Sequence, residues 1–332
     1  MKSCSRLLNN VIALAVITIM ASAVMVSCRD AQFRYSEGMI WHTAYHVTYE
    51  SDHDLTDSIA ATLEEVGKSL NYFDPGSLLS RVNTGNSVEV DQALRDVYEA
   101  SRRINAQTGG AFDPTLGPLI TAWGFGKGHK ATADTARVDS LLKLVGITRT
   151  RLDNGHIVKD DDRIEFNFSA IAKGYGVDKV ADMLARNGVK NYLVEIGGEI
   201  RADGKSPSNE DWRVGIDRPV YEHGAVHETQ AVISFTGRGL ATSGNYRNFQ
   251  TDGEQRYGHT ISATTGRPVR TDVLSASVVA PTCMEADALA TSMMAMGSTR
   301  AIALADSLRL PVLLVLADST VYTSPSMLPL IQ

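Results

Sequence analysis

Apolar and polar residues alternate with a period of two over "MIWHTAYHVTYE", Met39 to Glu50, which predicts a half-buried strand. From Asp57 to Leu70 the apolar residues recur at helical spacing, with Thr56 and Asp57 available as caps. A second helix is expected from Gln92 to Gln107, stopped by Gly109-Gly110, and the turn-rich "YFDPGSLLSRVNTG" between the two reads as a loop. A third helix follows over Thr135 to Val145, then short strands over Arg151 to Val158 and Arg163 to Phe168, then a helix from Gly176 to Asn187. "KNYLVEIGGEIRADG" reads as a strand broken at Gly197-Gly198, and several strands occupy Asp211 to Ala280. "MEADALATSMMAMG" and Thr299 to Leu308 read as helices, and "PVLLVLA" as a last strand. Strands that mostly follow one another, with helices in separate groups, favour an α+β fold with largely antiparallel sheets over a doubly wound parallel one.

The N-terminus breaks this pattern. Lys2 and Arg6 precede an apolar run from Val11 to Val26, too short and wrongly flanked for a comfortable membrane span, and small residues then lead to Ser27-Cys28. This is the layout of an export signal over residues 1–27. The ending "VMVSC" resembles a bacterial lipoprotein cleavage box, in which Cys28 becomes the lipidated first residue of the mature chain; an ordinary signal peptide or a retained anchor are the alternatives. Arg29 to Glu37 then reads as a short tether, and residues 38–332 as the folded part.

Composition adds two exclusions. The 332 residues are 43% apolar with mixed charge, enough to bury a full core in one large domain or two lobes. A net charge of -6 without a long basic run argues against a nucleic-acid partner. With Cys4 in the signal and Cys28 on lipid, Cys283 is left alone, which excludes an intrachain disulfide. A lone Cys beside an apolar helix is more often a small buried hydrophobe than a nucleophile.

Four features carry candidate chemistry. Asp287 and Thr291 stand four residues apart on one helix, so a carboxylate and a hydroxyl share a face; they suit a hard cation such as Mg2+, or else serve the helix dipole and the carbonyl one turn back. Lys173, in "SAIAKGYG", fits no Walker loop, yet beside Gly174 and Gly176 it is placed to meet an anion at a helix start; a surface lysine at a glycine turn is the other reading. "TGGAFDPTLGPLITAWGFG" holds Phe112, Trp123 and Phe125 on turns around Asp113, which suits a flat heteroaromatic ligand or plain packing. His259, in "YGHTISATTGRP", lies among Gly, Ser and Thr in a stretch that reads as a loop and is the histidine best placed to accept a proton. The methionines flanking Asp287 (Met284, Met293, Met294 and Met296) read as core.

Together these stretches resemble the FAD:protein FMN transferase family, the ApbE-like flavin transferases. The resemblance runs through "WHTAYHVTY", "LNYFDPGSLLSRVN", "TGGAFDPTLGPLITAWGFG", "FSAIAKGYGVDKVAD", "YLVEIGGEIRADG", "ATSGNYRNF", "GHTISATTGRP" and "MEADALATSMMAMG", in that order. It implies a single two-lobed catalytic domain, exported and lipid-anchored at the periplasm-facing cell envelope, that splits FAD with Mg2+, transfers FMN to a Ser or Thr of a target flavoprotein and releases AMP. Under the resemblance the metal ligands are the Ala170 carbonyl and the side chains of Asp287 and Thr291. FAD contacts fall on Trp41, Thr43, Phe73, Ala111, Phe112, Asp113, Lys173 and Ile261, and His259 is the base. Two departures stand out: His42 where the family commonly has Gly, and Ser262-Ala263 where it has Asp-Pro. An FAD pyrophosphatase, or a non-catalytic flavin-binding lipoprotein, are the alternative functions.

Overall fold

The computed structural model describes residues 32–85, 88–128, 131–219, 228–244, 249–252 and 255–332. The expected signal segment and Cys28 lie outside the described residues. In chain order the strands are β1 (Gln32–Ile40), β2 (Thr43–Ser51), β3 (Thr150–Asp153), β4 (His156–Lys159), β5 (Tyr192–Ile196), β6 (Glu199–Asp203) and β7 (Trp212–Asp217). They continue with β8 (Thr229–Phe235), β9 (Arg238–Gly244), β10 (Phe249–Asp252), β11 (Gln255–Gly258), β12 (Val273–Ala280), β13 (Val312–Leu316) and β14 (Val321–Thr323). Eight of them form one sheet in the order β1-β2-β5-β6-β9-β12-β13-β14, and each neighbouring pair is antiparallel. The fold is therefore α+β.

The sheet is covered on both faces. On β12, Ala276, Val278 and Ala280 point to one side and Val279 to the other, and all are buried. The first side packs against the helices Gln92–Gln107 and Cys283–Met296, whose apolar residues join Val312 and Leu314 in the main core. The helices Thr56–Leu70 and Ala172–Arg186 cover the β2 and β5 end through Tyr45, Val47, Val194 and Ile196. The opposite side is closed by the β7–β8 hairpin with Trp212, Ile233 and Phe235. Each large apolar side chain removed from water here contributes about 1.5–3 kcal/mol.

Several boundaries differ from the sequence expectation, each for a physical reason. Gln32 to Glu37 is not tether but the first part of β1, paired along its length with β2. Trp41 and His42 are not within a strand: they form the two-residue turn of that hairpin, with φ of 48° and 64°. Arg151 to Val158 is a hairpin whose turn is Asn154-Gly155, the pair that this left-handed geometry favours. The turn-rich loop contains a short helix, Leu78–Asn83, capped by Ser77. "PVLLVLA" is followed by one more edge strand, β14. The Lys173 helix starts at Ala172 rather than Gly176.

Arg163 to Phe168 forms no strand. Ile164, Phe166 and Phe168 are buried in alternation, as a strand would bury them, but the partner is a side chain. Asn83 Nδ2 donates to the Phe166 carbonyl at 2.8 Å, and the Phe166 N–H donates to Asn83 Oδ1 at 2.8 Å. One asparagine amide thus replaces a neighbouring backbone.

Candidate active site

Two buried helices begin beside each other. Gly174, in the first turn of Ala172–Arg186, lies so close to the start of Cys283–Met296 that a Cβ there would sit 2.8 Å from Met284 Cα and 2.7 Å from the Cys283 carbonyl carbon. Gly176 is equally constrained, since its Cβ would meet the Trp41 ring at 2.6 Å. The two glycines therefore exist for close packing of protein on protein, not for backbone approach to a ligand. Asp178 locks the junction: it accepts from the N–H groups of Cys283 at 3.0 Å and Met284 at 2.9 Å, and Arg201 Nη1 donates to it at 2.9 Å. Burial pushes its carboxyl up, against those three donors.

At this junction the segment that follows Ala170 meets the helix that carries Asp287 and Thr291. The Gly174 N–H donates to Asp287 Oδ2 at 3.1 Å. In a continuing helix that N–H would have gone to the Ala170 carbonyl. Here no backbone hydrogen bond reaches that carbonyl among the described residues. Thr291, one turn beyond Asp287, shares a hydrogen bond with Ser243 Oγ at 3.1 Å instead of turning back on its own helix. Asp287 is 2% exposed, and burial raises its carboxyl while the Lys173 charge opposes this.

Lys173 ion-pairs with Glu199. Burial works against its charge, but the Asp287 and Glu199 carboxylates outweigh it and hold the ammonium above its ordinary pKa. Glu199 is pushed up to about 7 by burial, the Lys173 charge opposing. Glu199 opens β6 straight after the Gly197-Gly198 turn, and a Cβ on Gly197 would strike Thr43 Oγ1 at 2.7 Å. Trp41, Thr43, Ala170, Lys173, Asp287 and Thr291 thus belong to one corner, held by the packing of four elements.

The remaining predicted residues form a second group. Asp113 caps the 3-10 turn Pro114–Leu116, and its oxygens are saturated: Thr115 N–H at 2.9 Å and Thr115 Oγ1 at 2.5 Å on Oδ1, Ile147 N–H at 3.1 Å and Asn105 Nδ2 at 3.2 Å on Oδ2. Phe112 is 3% exposed and Ala111 half-buried. Ile261 is 3% exposed in a satellite core with Leu116 and Leu119, and Trp123 Nε1 donates to the Gly266 carbonyl at 2.8 Å. His259 is half-buried and meets the edge of Phe125, ring centroids 6.3 Å apart. Phe73, 40% exposed, stands edge-on to Tyr72, whose hydroxyl shares a hydrogen bond with Thr121 at 3.0 Å. The Asn167 N–H donates to the Pro114 carbonyl at 2.7 Å, which joins this group to the segment leading into Ala170.

Sequence reasoning missed Glu199, Asp178 and Arg201. A carboxylate beside a double glycine reads as surface, and only the pairing of β5 with β6 carries Glu199 inward. Cys283 is fully buried and burial pushes its thiol up, so it packs as a hydrophobe. Two clefts of about 460 and 440 Å3 lie on the Tyr175–Lys179 side of the Lys173 helix, roughly opposite Lys173 itself. Part of their polar wall is engaged within the fold, as in Tyr175 Oη to Asp96 at 3.0 Å and Arg103 Nη1 to Glu285 at 2.6 Å.

The donors that the sequence offers to a cation here are all hard oxygens: the Asp287 carboxylate, the Thr291 hydroxyl and the Ala170 carbonyl, with Glu199 engaged by Lys173. No group of three or more His, Cys, Asp or Glu side chains able to hold a metal occurs among the described residues. This set fits a cation that keeps waters and takes further oxygens from a phosphorylated ligand, as Mg2+ does, and does not fit a zinc-type cage. Fold and corner together define an α+β protein in which Lys173, Glu199 and Asp287 gather where two helices begin.

The chain belongs to the ApbE family, whose sequence profile matches residues 41–314. A Vibrio cholerae protein named FAD:protein FMN transferase is 36% identical over 320 residues, 92% of this chain and 93% of the relative. One of the same name from Haemophilus influenzae is 31% identical over 338 residues, 97% of this chain and 96% of the relative. The solved structure of the flavin transferase ApbE from Vibrio cholerae superposes with a TM-score of 0.82 at 34% identity, covering 90% of this chain and 99% of that one.

Proposed function

We propose that this chain is an FAD:protein FMN transferase, which cleaves the FAD pyrophosphate and places FMN on a Ser or Thr hydroxyl of a target flavoprotein with release of AMP. The observation that carries this is the hydrogen bond from Gly174 to Asp287 at 3.1 Å, which joins the Lys173 turn to the Asp287 face. Charge supports the need for a cation. Lys173 with Glu199 and Asp287 sums to about -1 when both acids are ionised, and a pyrophosphate adds more negative charge. Mg2+, held by Asp287, Thr291 and the Ala170 carbonyl, would supply charge neutralisation at the transferring phosphate.

The chain's own groups do the rest. Lys173 offers a point charge to the phosphate oxygens, and the buried setting strengthens that interaction. Phe73, 40% exposed, offers aromatic surface to the flavin, and the buried Phe112–Asp113 turn holds the loop in shape. His259 takes the proton from the acceptor hydroxyl, and a positioned base contributes about 10²–10⁴-fold. Incubation with FAD, Mg2+ and a Ser/Thr-bearing acceptor should give an acceptor heavier by one FMN unit in the mass spectrum. Free FMN and AMP beside an unmodified acceptor would reject transfer in favour of FAD hydrolysis, and no FAD turnover at all would reject an enzyme.

The same reading places the enzyme outside the cytoplasm, anchored through a lipid on Cys28. Among the described residues no helix is long and apolar enough to cross a membrane. Metabolic labelling with a radioactive fatty acid should mark the wild type and not Cys28→Ala. Label of equal strength in Cys28→Ala would contradict lipidation at that residue.

A further inference from the structure

We propose that Glu199 is a positioning residue that takes the Lys173 ammonium as its ion-pair partner in place of Asp287 and so leaves the Asp287 carboxylate open to a divalent cation. The inference rests on the metal role proposed above for Asp287. Lys173 immediately precedes Gly174, whose N–H is bonded to Asp287 Oδ2, so its flexible stem is rooted beside that carboxylate. Among the described residues it nevertheless pairs with Glu199 and not with Asp287. Its side chain is 33% exposed and that of Glu199 5%, so the carboxylate is the fixed partner and the lysine the movable one.

Among the described residues, only its own backbone N–H donates to this carboxylate besides Lys173. Glu199 Oε2 is buried and meets no donor among the described residues, whereas the structural carboxylates Asp113 and Asp178 accept four and three hydrogen bonds. A buried acid that serves architecture spends both oxygens; Glu199 keeps Oε2 unspent while it pairs with Lys173. Released from it, the ammonium has Asp287 as the nearest alternative anion. An ion pair there competes directly with a metal for the same oxygens.

The test is Mg2+ binding by calorimetry on the full folded domain without FAD, in a double-mutant cycle of wild type, Glu199→Gln, Lys173→Met and the double variant, each checked by its melting curve. Glu199→Gln should weaken Mg2+ about tenfold while Lys173 is present and by less than threefold in the Lys173→Met background. Equal weakening in both backgrounds would mean that Glu199 acts only by its own charge, and would overturn the positioning role. Wild-type affinity in Glu199→Gln would overturn it as well. Wild type that binds no Mg2+ at millimolar concentration would sink the metal reading itself, which separates the two failures. Should Glu199→Gln not fold, Glu199→Leu replaces it in the cycle.

Discussion

Asp113 and Asp287 are both buried carboxylates that the sequence offers as ligand contacts, and the fold treats them in opposite ways. Asp113 is 9% exposed and accepts four hydrogen bonds that tie its loop to Asn105 and Ile147. Asp287 is 2% exposed with one backbone N–H donor and a lysine charge near by. A carboxylate whose lone pairs are filled by its own fold is architecture; one left short of partners is poised for something outside the chain. On the proposed function, the Asp113 loop would offer the flavin a shape and Asp287 would offer a cation an unspent charge.

The largest expected effect follows from that contrast. Asp287→Asn keeps an oxygen for the Gly174 N–H but removes the charge, so FMN transfer should fall about a thousandfold while the melting temperature moves by only a few degrees. A large loss of stability in this variant would mean that Asp287 is architectural too. Gly174→Ala comes next. The new methyl group is driven into the Cys283–Met284 backbone, which neither helix can yield cheaply, and the cost should be about 3 kcal/mol in chemical denaturation, with transfer lost as the corner opens.

Asp113→Ala should cost about 2–3 kcal/mol of stability, because it strands buried donors from Thr115, Ile147 and Asn105. Where the protein remains folded, its Mg2+ affinity should equal that of the wild type; a selective loss of metal binding would erase the distinction between the two acids. The smallest effect belongs to His42. It occupies the second position of a hairpin turn at φ 64°, where the family commonly has Gly, and Trp41 before it is also left-handed. His42→Gly should raise stability by about 0.5 kcal/mol by removing that strain, less the entropy a glycine adds to the unfolded chain.

Local pattern made much of this fold legible. The helix Gln92–Gln107 begins and ends where its apolar spacing and the following glycines say, and the Gly197-Gly198 break does separate β5 from β6. The misreadings come from residues chosen for tertiary reasons. Gly174 and Gly176 discourage a helix by propensity, yet they lie inside one, because only glycine lets it pass so close to Cys283 and Trp41. Phe166 and Phe168 alternate like a strand because the chain is extended, and Asn83 supplies the pairing that no sequence window of strand length could reveal. The corner itself was half legible: Asp287, Thr291 and Lys173 carry a resemblance, but Glu199 and Asp178 acquire their roles only when strands and helices distant in the chain meet.

The most direct measurement is the free Mn2+ signal in electron paramagnetic resonance, titrated with wild type and with Asp287→Asn, each with and without FAD. The wild type should take up Mn2+ more tightly when FAD is present, since the dinucleotide completes an oxygen shell that the chain leaves unfinished, and Asp287→Asn should lose that gain. Equal uptake by the two proteins, or uptake indifferent to FAD, would contradict a metal and a pyrophosphate sharing the corner where the Lys173 and Asp287 helices begin.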